Sequence, residues 1–408
     1  MNKRQFACVA FAVSAVSFSP FGLALADDAP SPAPSTSSMV ISGFGTAAMT
    51  SADTDQAQFG RPGQAAGVQS SPRPGPDSNF GLQGTYKWND QFSFTAQGLV
   101  RKSVTDNFGA EMAWAFFKYK ANDEFSFRVG RIGAPIYMIS DFRNVGYANP
   151  MIRPPEELYG QVVLDNFNGA DVIYQHSFGD NTLTAQFAVG EARSDSPSGY
   201  YVRFQPFTAL HVLYETGPFT FRFGRADASF SIYNYSLPVQ LDGFLNQFGF
   251  SSIANQLPYT DVKGSFTSVG MMMDYKNFII QTEYAKRNTK TLLEADTTSW
   301  YAMFGYRIDK FTPYYMHANV TQDSQNSFPS MPTTGLLAPL TAAANGAVKA
   351  LLESSNAVGV RWDFYKSADL KFQFDRISPR NGPGFFLNPQ PGFTGPVNVY
   401  ALGVDFIF

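Results

Sequence analysis

The residues best able to take part in chemistry are charged side chains that recur on one face of short alternating segments. Each is opposite in phase to apolar neighbours, so in an extended chain it points to the other side. The basic set is Lys87, Arg101, Arg128, Arg222, Arg307, Arg361 and Lys371, and the acidic set is Glu215, Glu283, Asp363, Asp375 and Asp405. Five arginines on the wall of a water-filled space would form a cationic ladder, whose field orders water and penalises apolar solutes. Alternatively, these charges pair with one another and only solvate the wall.

Other kinds of chemistry find little support. His176, His211 and His317 lie on separate segments without the spacing of metal ligands, so we expect no zinc site and no cofactor. The sequence contains no Gly-x-Ser-x-Gly motif. Catalytic triads assemble in space, so a barrel enzyme or an adhesin is kept as the least favoured hypothesis. The protein is predicted not to be an enzyme.

The charges are carried by sixteen segments in which apolar and polar residues alternate with a period of two. The predicted strands are 39–50, 78–88, 91–101, 111–120, 124–131, 168–178, 181–191, 207–216, 218–228, 263–275, 277–287, 298–308, 310–320, 354–364, 368–377 and 397–408. Tight turns rich in Asn, Asp and Gly alternate strictly with long loops. Two of these loops contain stretches of helical character, at 241–257 and 338–352.

Composition and strand pattern together predict the fold class. Of 408 residues, 16% are aromatic and only 15% are charged, and a mean hydropathy of -0.16 leaves no room for several membrane-spanning helices. An even number of two-faced strands, joined alternately by short turns and long loops, predicts an all-β transmembrane antiparallel up-and-down barrel of sixteen strands. A soluble sandwich also alternates, but aromatic residues on nearly every strand favour a barrel whose apolar face meets lipid.

The first 26 residues predict export. Lys3 and Arg4 precede a largely apolar run that ends in Ala24, Leu25 and Ala26, as a cleaved signal peptide does. Residues 27–38 form a flexible Pro/Ser-rich lead-in, and 39–408 form the barrel. The one cysteine, Cys8, lies in the signal, so no disulfide is expected. A formal net charge of -3 without a Lys/Arg cluster disfavours a nucleic-acid partner.

The last segment is the most specific local signal. VNVYALGVDFIF alternates apolar residues from Val397 to a carboxyl-terminal Phe408. This ending resembles the terminal strand of Gram-negative outer-membrane proteins, which the barrel assembly machinery recognises. With the strand count, the whole mature chain resembles a sixteen-stranded Gram-negative outer-membrane porin. The resemblance implies an outer-membrane location, contact with outer-membrane lipid and a homotrimer.

The resemblance also gives a meaning to the longest loop, 132–167, which follows the fifth strand. In porins the third external loop folds into the barrel and narrows it, and apolar residues such as Ile136, Tyr137 and Ile139 would be buried by such a fold. A capping loop or trimer contact is the alternative. The Pro-Glu-Phe-Gly-Gly type motif of general porins is absent. The charged residues of the constriction are then Arg128 and Arg131, which lead into the loop, and Asp141, Arg143, Arg153, Glu156 and Glu157 within it.

Two hypotheses for the role of these charged residues predict two different functions. Carboxylates of Asp141, Glu156 and Glu157 facing the arginines would place a transverse field across a passive channel for small hydrophilic solutes and ions. Arg143 and Arg153 could equally fix the loop to the wall through carboxylates. If the arginines bind rather than bias anions, the protein is instead a substrate-selective channel for anionic solutes such as organic acids or phosphate.

Overall fold

The computed structural model describes residues 37–408. The predicted signal peptide (1–26) and all but the last two residues of the predicted lead-in (27–38) lie outside the described residues. The described chain forms sixteen strands, which are β1 (Ser38–Ala52), β2 (Asn79–Lys87), β3 (Phe92–Lys102), β4 (Phe108–Lys120), β5 (Phe125–Gly133), β6 (Asn166–Phe178), β7 (Asn181–Asp195), β8 (Tyr201–Thr216), β9 (Phe219–Tyr233), β10 (Val262–Tyr275), β11 (Phe278–Thr289), β12 (Thr297–Tyr306), β13 (Phe311–Gln322), β14 (Leu352–Tyr365), β15 (Ala368–Arg380) and β16 (Val397–Ile407).

The strands form one closed barrel, in which each pairs antiparallel with its neighbours in sequence and β1 pairs with β16. The predicted fold class and strand count are confirmed. Closure removes the unpaired edges that an open sheet of this size would expose. Tight turns lie at one end of the barrel, the turn end, and longer connections at the other, the loop end. Loop 1 is 53–78, loop 3 is 134–165, loop 4 is 196–200, loop 5 is 234–261, loop 6 is 290–296, loop 7 is 323–351 and loop 8 is 381–396.

Several strands continue further toward the loop end than predicted. The largest difference is in β8, which was expected to begin at residue 207 and begins at Tyr201. Pro206 has no backbone N–H and suggested a loop. The strand passes this point with a shift of register between Phe204 and Phe207, and pairing with β9 then resumes.

The two faces of the wall differ in chemistry. On β15, Asp369, Lys371, Gln373 and Asp375 are buried while the alternate Phe372 is exposed. On β12, the buried and exposed residues alternate along the whole strand. The polar face therefore points into the barrel, and the exposed aromatic and aliphatic face points outward.

The seam between the first and last strands is closed by the carboxyl terminus. Phe408 and Gly43 exchange two backbone hydrogen bonds of 2.9 and 3.0 Å. The Phe408 ring stacks on Phe80 of β2, with ring centroids 6.4 Å apart, and it lies over Gly43, where a Cβ atom would overlap it. The aromatic last residue thus covers the closing pair of strands on the outward face.

Helices occur only as short elements of the loops in the described chain. They are α1 (Glu156–Tyr159), α2 (Ser236–Gln247), α3 (Ser251–Ala254) and α4 (Ala338–Ala347). The helical character predicted for 241–257 and 338–352 is confirmed, and α2 and α4 pack together in a cluster that includes Leu241, Leu245 and Ala344. Within residues 37–408, no helix has the length and apolarity to span a bilayer.

Candidate functional site

The five ladder arginines are carried by inward-facing strand positions or, for Arg307, by a short turn, and every one has a carboxylate partner. Arg128 of β5 donates to Asp171, directly opposite it on β6, with an Nε–Oδ1 distance of 3.0 Å. The Arg222 guanidinium lies 3.5 Å from Glu283. The remaining pairs are Arg101 with Glu111 and Asp165, Arg307 with Asp274, and Arg361 with Asp363 and Asp369. The wall is therefore lined by ion pairs rather than by a row of unopposed cations.

The first part of loop 3 contacts the inward faces of β9 to β11. Arg222 Nη2 donates to the Pro135 carbonyl at 2.9 Å, and the Met138 N–H donates to Glu283 at 3.0 Å. The same carboxylate accepts a 3.0 Å hydrogen bond from the Tyr159 hydroxyl. Glu283 thus holds both the beginning and the end of loop 3, while it balances the buried Arg222.

Apolar packing accompanies these hydrogen bonds. Ile136, Tyr137, Ile139, Met151 and Leu158 of loop 3 are buried in one cluster with inward residues of the wall. The wall contributes Phe207, Ala226, Phe266, Ala285, Tyr301, Met303 and Met316. Small and aromatic residues on these inward positions give the loop an apolar surface, so its hydrophobic side chains avoid water.

The second part of loop 3 contacts β14 to β16 through main-chain oxygens. Lys371 Nζ donates to the Gly146 carbonyl at 2.7 Å and lies 2.8 Å from Asp405. Arg361 donates to the Tyr147 carbonyl at 2.6 Å, and the Tyr147 hydroxyl reaches the Lys366 carbonyl in the β14–β15 turn. Loop 3 therefore reaches as far as the turn end of the barrel.

Arg153 makes the most buried ionic contact of loop 3. Its Nη1 lies 2.5 Å from Asp77 of loop 1, and its Nη2 lies 2.5 Å from Asp375 of β15. The guanidinium also stacks over the Phe59 ring at 4.5 Å. Next to it, the Ile152 N–H donates to Gln373 Oε1 at 2.9 Å. A guanidinium shared by two carboxylates fixes loop 1, loop 3 and the wall to one another.

Two glycines allow the backbone of loop 3 to approach the wall. A Cβ atom on Gly146 would overlap Asp405 and Thr46, which are themselves hydrogen-bonded to each other. A Cβ atom on Gly270 of β10 would lie 2.8 Å from the Met138 sulfur. A glycine therefore makes room for each contact: Gly146 belongs to the loop, and Gly270 belongs to the wall.

The structure brings only some of the predicted constriction residues together. Asp141 lies within electrostatic reach of Arg128 and Arg222, and burial raises its pKa. Arg143 pairs with Asp165 at the end of loop 3, so it fixes the loop to itself. Arg153 fixes the loop through carboxylates, which was one of the two expectations. Of the three acids that were expected to face the arginines, only Asp141 lies near them.

Glu156 and Glu157 are buried rather than aimed at the arginine ladder. They begin α1, which packs against β12, β13 and β14. The nearest cation to Glu156 is Arg61, at 3.8 Å, and burial raises the pKa of Glu156 to about 8 and that of Glu157 to about 7. Pro154 and Pro155 directly before two acids are a helix-start signal that could have shown this orientation.

Arg131 does not line the lumen, which corrects its place in the predicted constriction. It has the same phase as the exposed Phe127 and Val129, and its guanidinium donates to Asn168 and to the Met112 carbonyl. Arg128 and Arg131 are three residues apart, and residues three apart in a strand lie on opposite faces. Only Arg128 can therefore face inward.

Several residues that hold the site were missed by sequence reasoning. Asp77, Asp165 and Asp171 pair with Arg153, Arg143 and Arg128, and no local motif marks them. Alternation could have placed Asp171 and Gln373 on inward phases, but their partners are set by the barrel register. Among the described residues, His, Cys, Asp and Glu side chains form no group that could hold a metal ion.

Comparison of the sequence with protein-family models and with curated proteins finds no match. Solved structures do match. OmpF of Salmonella typhi, in complex with daunomycin, aligns over 91% of this chain and 97% of its own, with a TM-score of 0.56 and 11% identity. An anion-selective porin from Comamonas acidovorans aligns over 91% and 100%, with a TM-score of 0.53 and 10% identity. OmpT of Vibrio cholerae, an outer-membrane protein in a trimer form, aligns over 91% and 100%, with a TM-score of 0.50 and 13% identity.

These likenesses define the class of fold. The chain has the sixteen-stranded barrel fold of Gram-negative outer-membrane porins. The porin-like fold that the strand pattern and the terminal Phe408 indicated is therefore confirmed. Identities of 10–13% relate the folds and carry no residue roles from one protein to the other.

Proposed function

We propose that the protein is a passive channel of the Gram-negative outer membrane, through which small hydrophilic solutes and ions diffuse without a cofactor or a covalent step. One observation carries the proposal. The wall is a closed barrel with charged and polar side chains inside and exposed apolar side chains outside. A barrel of this strand number encloses an aqueous space, and such a division of faces matches a wall between lipid and water.

The outward face supports the location. Aromatic residues concentrate near the turn end, where Trp88, Phe92, Tyr119, Phe125, Phe178, Tyr275, Phe278, Phe311, Trp362 and Tyr365 are exposed. Trp and Tyr favour the level of the lipid headgroups because an apolar ring carries a polar N–H or O–H group, and membrane barrels carry aromatic girdles at both interfaces. We infer that this belt marks the periplasmic interface and that the barrel assembly machinery recognises the β16 strand with Phe408.

Loop 3 supports a constriction. Its contacts with β9 to β11 and with β14 to β16 are all made to inward-facing side chains. We infer that the loop lies inside the barrel and crosses it from one wall to the other. We infer that Asp141, Arg128 and Arg101 border the passage beside it. Arg128 and Arg101 each pair with a carboxylate, and Asp141 lies within electrostatic reach of Arg128. Salt selectivity is therefore expected to be weak.

A substrate-selective anion channel is the second candidate. Loop 3 is fixed at both walls, so a solute that passes beside it would meet side chains of the loop and of the wall. The match to a porin described as anion-selective agrees with this candidate. The trimer form of one structural neighbour likewise supports a homotrimer, in which lipid contacts part of each barrel and the two other copies contact the rest.

Single-channel recording in planar bilayers tests the proposal. Purified protein should give large ohmic steps, grouped in threes if the trimer forms, with a small reversal potential under a salt gradient. A large reversal potential with saturable block by acetate or phosphate would favour the selective channel instead. Folded protein that never conducts would contradict both and favour the enzyme or adhesin.

A further inference from the structure

A cavity of about 710 Å³ lies at the loop end of the barrel, above loop 3. Its floor is formed by Ile136 and by residues 160–164 of loop 3, and its sides by β7 to β12 and by loops 1, 4, 6, 7 and 8. The volume is in the range of small-molecule sites. We call this space the vestibule.

Part of the lining of the vestibule is apolar. Phe204 and Phe230, with ring centroids 6.1 Å apart, form an aromatic wall together with Phe266. Leu351 of loop 7 and Val163 of the floor also line the cavity, and 51% and 40% of their surfaces are exposed. An apolar ligand would cover these side chains and the aromatic wall together.

The charges of the vestibule favour an anion. Its acidic residues are each within ion-pair distance of an arginine, with Asp195 2.6 Å from Arg193, Asp227 2.6 Å from Arg225 and Glu294 3.4 Å from Arg287. The ammonium group of Lys349, in contrast, makes no hydrogen bond or ion pair within residues 37–408. Arg61 also lines the vestibule, and its ion pair with Glu156 is the longest of these pairs, at 3.8 Å. Lys349 thus remains available to a ligand, and Arg61 is a second cation of the same lining.

We propose that the vestibule binds small amphipathic anions, in which a ring or short aliphatic body lies against the aromatic wall, Leu351 and Val163, and a carboxylate lies near Lys349 and Arg61. The inference deepens the proposed channel function and rests on it. Burial of the apolar body supplies the affinity, and the cations supply the preference for a negative charge. A solute held there would be concentrated directly above the constriction.

Block of the chloride current by matched solutes tests the site. Benzoate, acetate, benzyl alcohol and benzylammonium are added to each side in turn of a bilayer that holds the full chain. Benzoate should block at a concentration about tenfold or more below that of each of the others, from one side only, because it alone combines an apolar body with a negative charge.

Variants locate the block. Leu351→Ser should raise the half-blocking concentration of benzoate about fivefold, and Lys349→Gln should raise it about threefold. Leu336→Ser and Lys290→Gln are matched controls, because both residues are exposed outside the vestibule, and neither should change the block. Equal block by benzoate and acetate, by benzoate and benzyl alcohol, or equal effects of Leu351→Ser and Leu336→Ser, in a normally conducting protein, would overturn the site alone. A protein without conductance would overturn the channel as well.

Discussion

Loop 3 meets two walls of opposite character. On β9 to β13 the contacts are mostly apolar: Tyr137 packs on Phe266 with ring centroids 5.3 Å apart, and Ile139 is buried in the same cluster. Among the side chains of these five strands, the buried charged ones are Arg222 and Glu283. On β14 to β16, the contacts are ionic, with Lys371 and Arg153 bonded to carboxylates and to loop carbonyls. One loop is thus held by hydrophobic packing on one side and by a charge network on the other.

Because the two walls hold loop 3 by different interactions, we expect them to contribute differently to its position and stability. Hydrophobic packing is not directional, so it stabilises the folded-back loop but tolerates small shifts. A guanidinium shared by two carboxylates is directional, and loss of one partner leaves uncompensated buried charges. We therefore expect the charged side to set the position of the loop and the apolar side to add stability.

Replacement of Arg153 by methionine should have the largest effect. The change keeps a long side chain but leaves Asp77 and Asp375 without their cation, which costs the docked loop about 3–5 kcal/mol. Loop 3 should leave the wall, and single-channel conductance and protease cleavage within 134–165 should both rise.

Arg203→Met is the matched control, because Arg203 forms an exposed pair with Glu191 outside loop 3 and outside the vestibule and should leave conductance unchanged. The triple variant Arg153→Met/Asp77→Asn/Asp375→Asn removes the unpaired charges and should restore part of the wild-type conductance. Wild-type conductance in Arg153→Met would show that the charged contact does not position the loop.

Replacement of Ile139 by alanine should have a smaller effect. The fully buried side chain leaves a cavity that costs about 2–3 kcal/mol, but the ion pairs of Arg153 still hold the loop. Cleavage within loop 3 should rise moderately and conductance should change little. Ile308→Ala, at an exposed site, is the control. A conductance increase as large as that of Arg153→Met would reverse the proposed assignment of the two walls.

A change of pH should have the smallest effect. Burial raises the pKa of Glu156 to about 8, above its ordinary value of 4.5, while Arg61 and Arg153 favour its charged form. The contribution of this protonated carboxyl to docking is complete below about 4.5 and is lost as the pH rises through 8.

Conductance should therefore increase slightly, by less than about twofold, between pH 6 and pH 9, because the nearby arginines limit the loss. Burial also raises the pKa of the neighbouring Glu157 to about 7, so Glu156→Gln should remove part of the change and the double variant Glu156→Gln/Glu157→Gln should remove the rest. The exposed-site variant Glu191→Gln should retain the full change. A pH response that persists in the double variant would assign it to another group.

The barrel could be predicted from the sequence because each strand has a local pattern of alternating apolar and polar residues. Alternation and turn residues predicted all sixteen strands, with every end within five residues of the observed one apart from the start of β8, which is six residues away. There Pro206 lies at a register shift that depends on the partner strand. The inward phase of Arg222, Lys371 and Glu283 follows from the same period of two.

The site was less predictable because its contacts join distant parts of the chain. Arg153 lies 76 residues from Asp77 and 222 from Asp375, and nothing near any of them marks the pair. The sequence of loop 3 has no regular period from which the course of its backbone could be predicted. The outward position of Arg131, in contrast, could have been predicted, because the period of two in β5 places it on the face opposite to Arg128.

The central claim is that loop 3 lies in the lumen and narrows a channel. Single-channel conductance of the wild type should be compared directly with that of a chain in which residues 136–159 are replaced by a short Gly-Ser linker. We predict ohmic steps in both proteins and a several-fold larger conductance in the shortened chain, which should also admit larger sugars. Equal conductance in the two folded proteins would contradict the account.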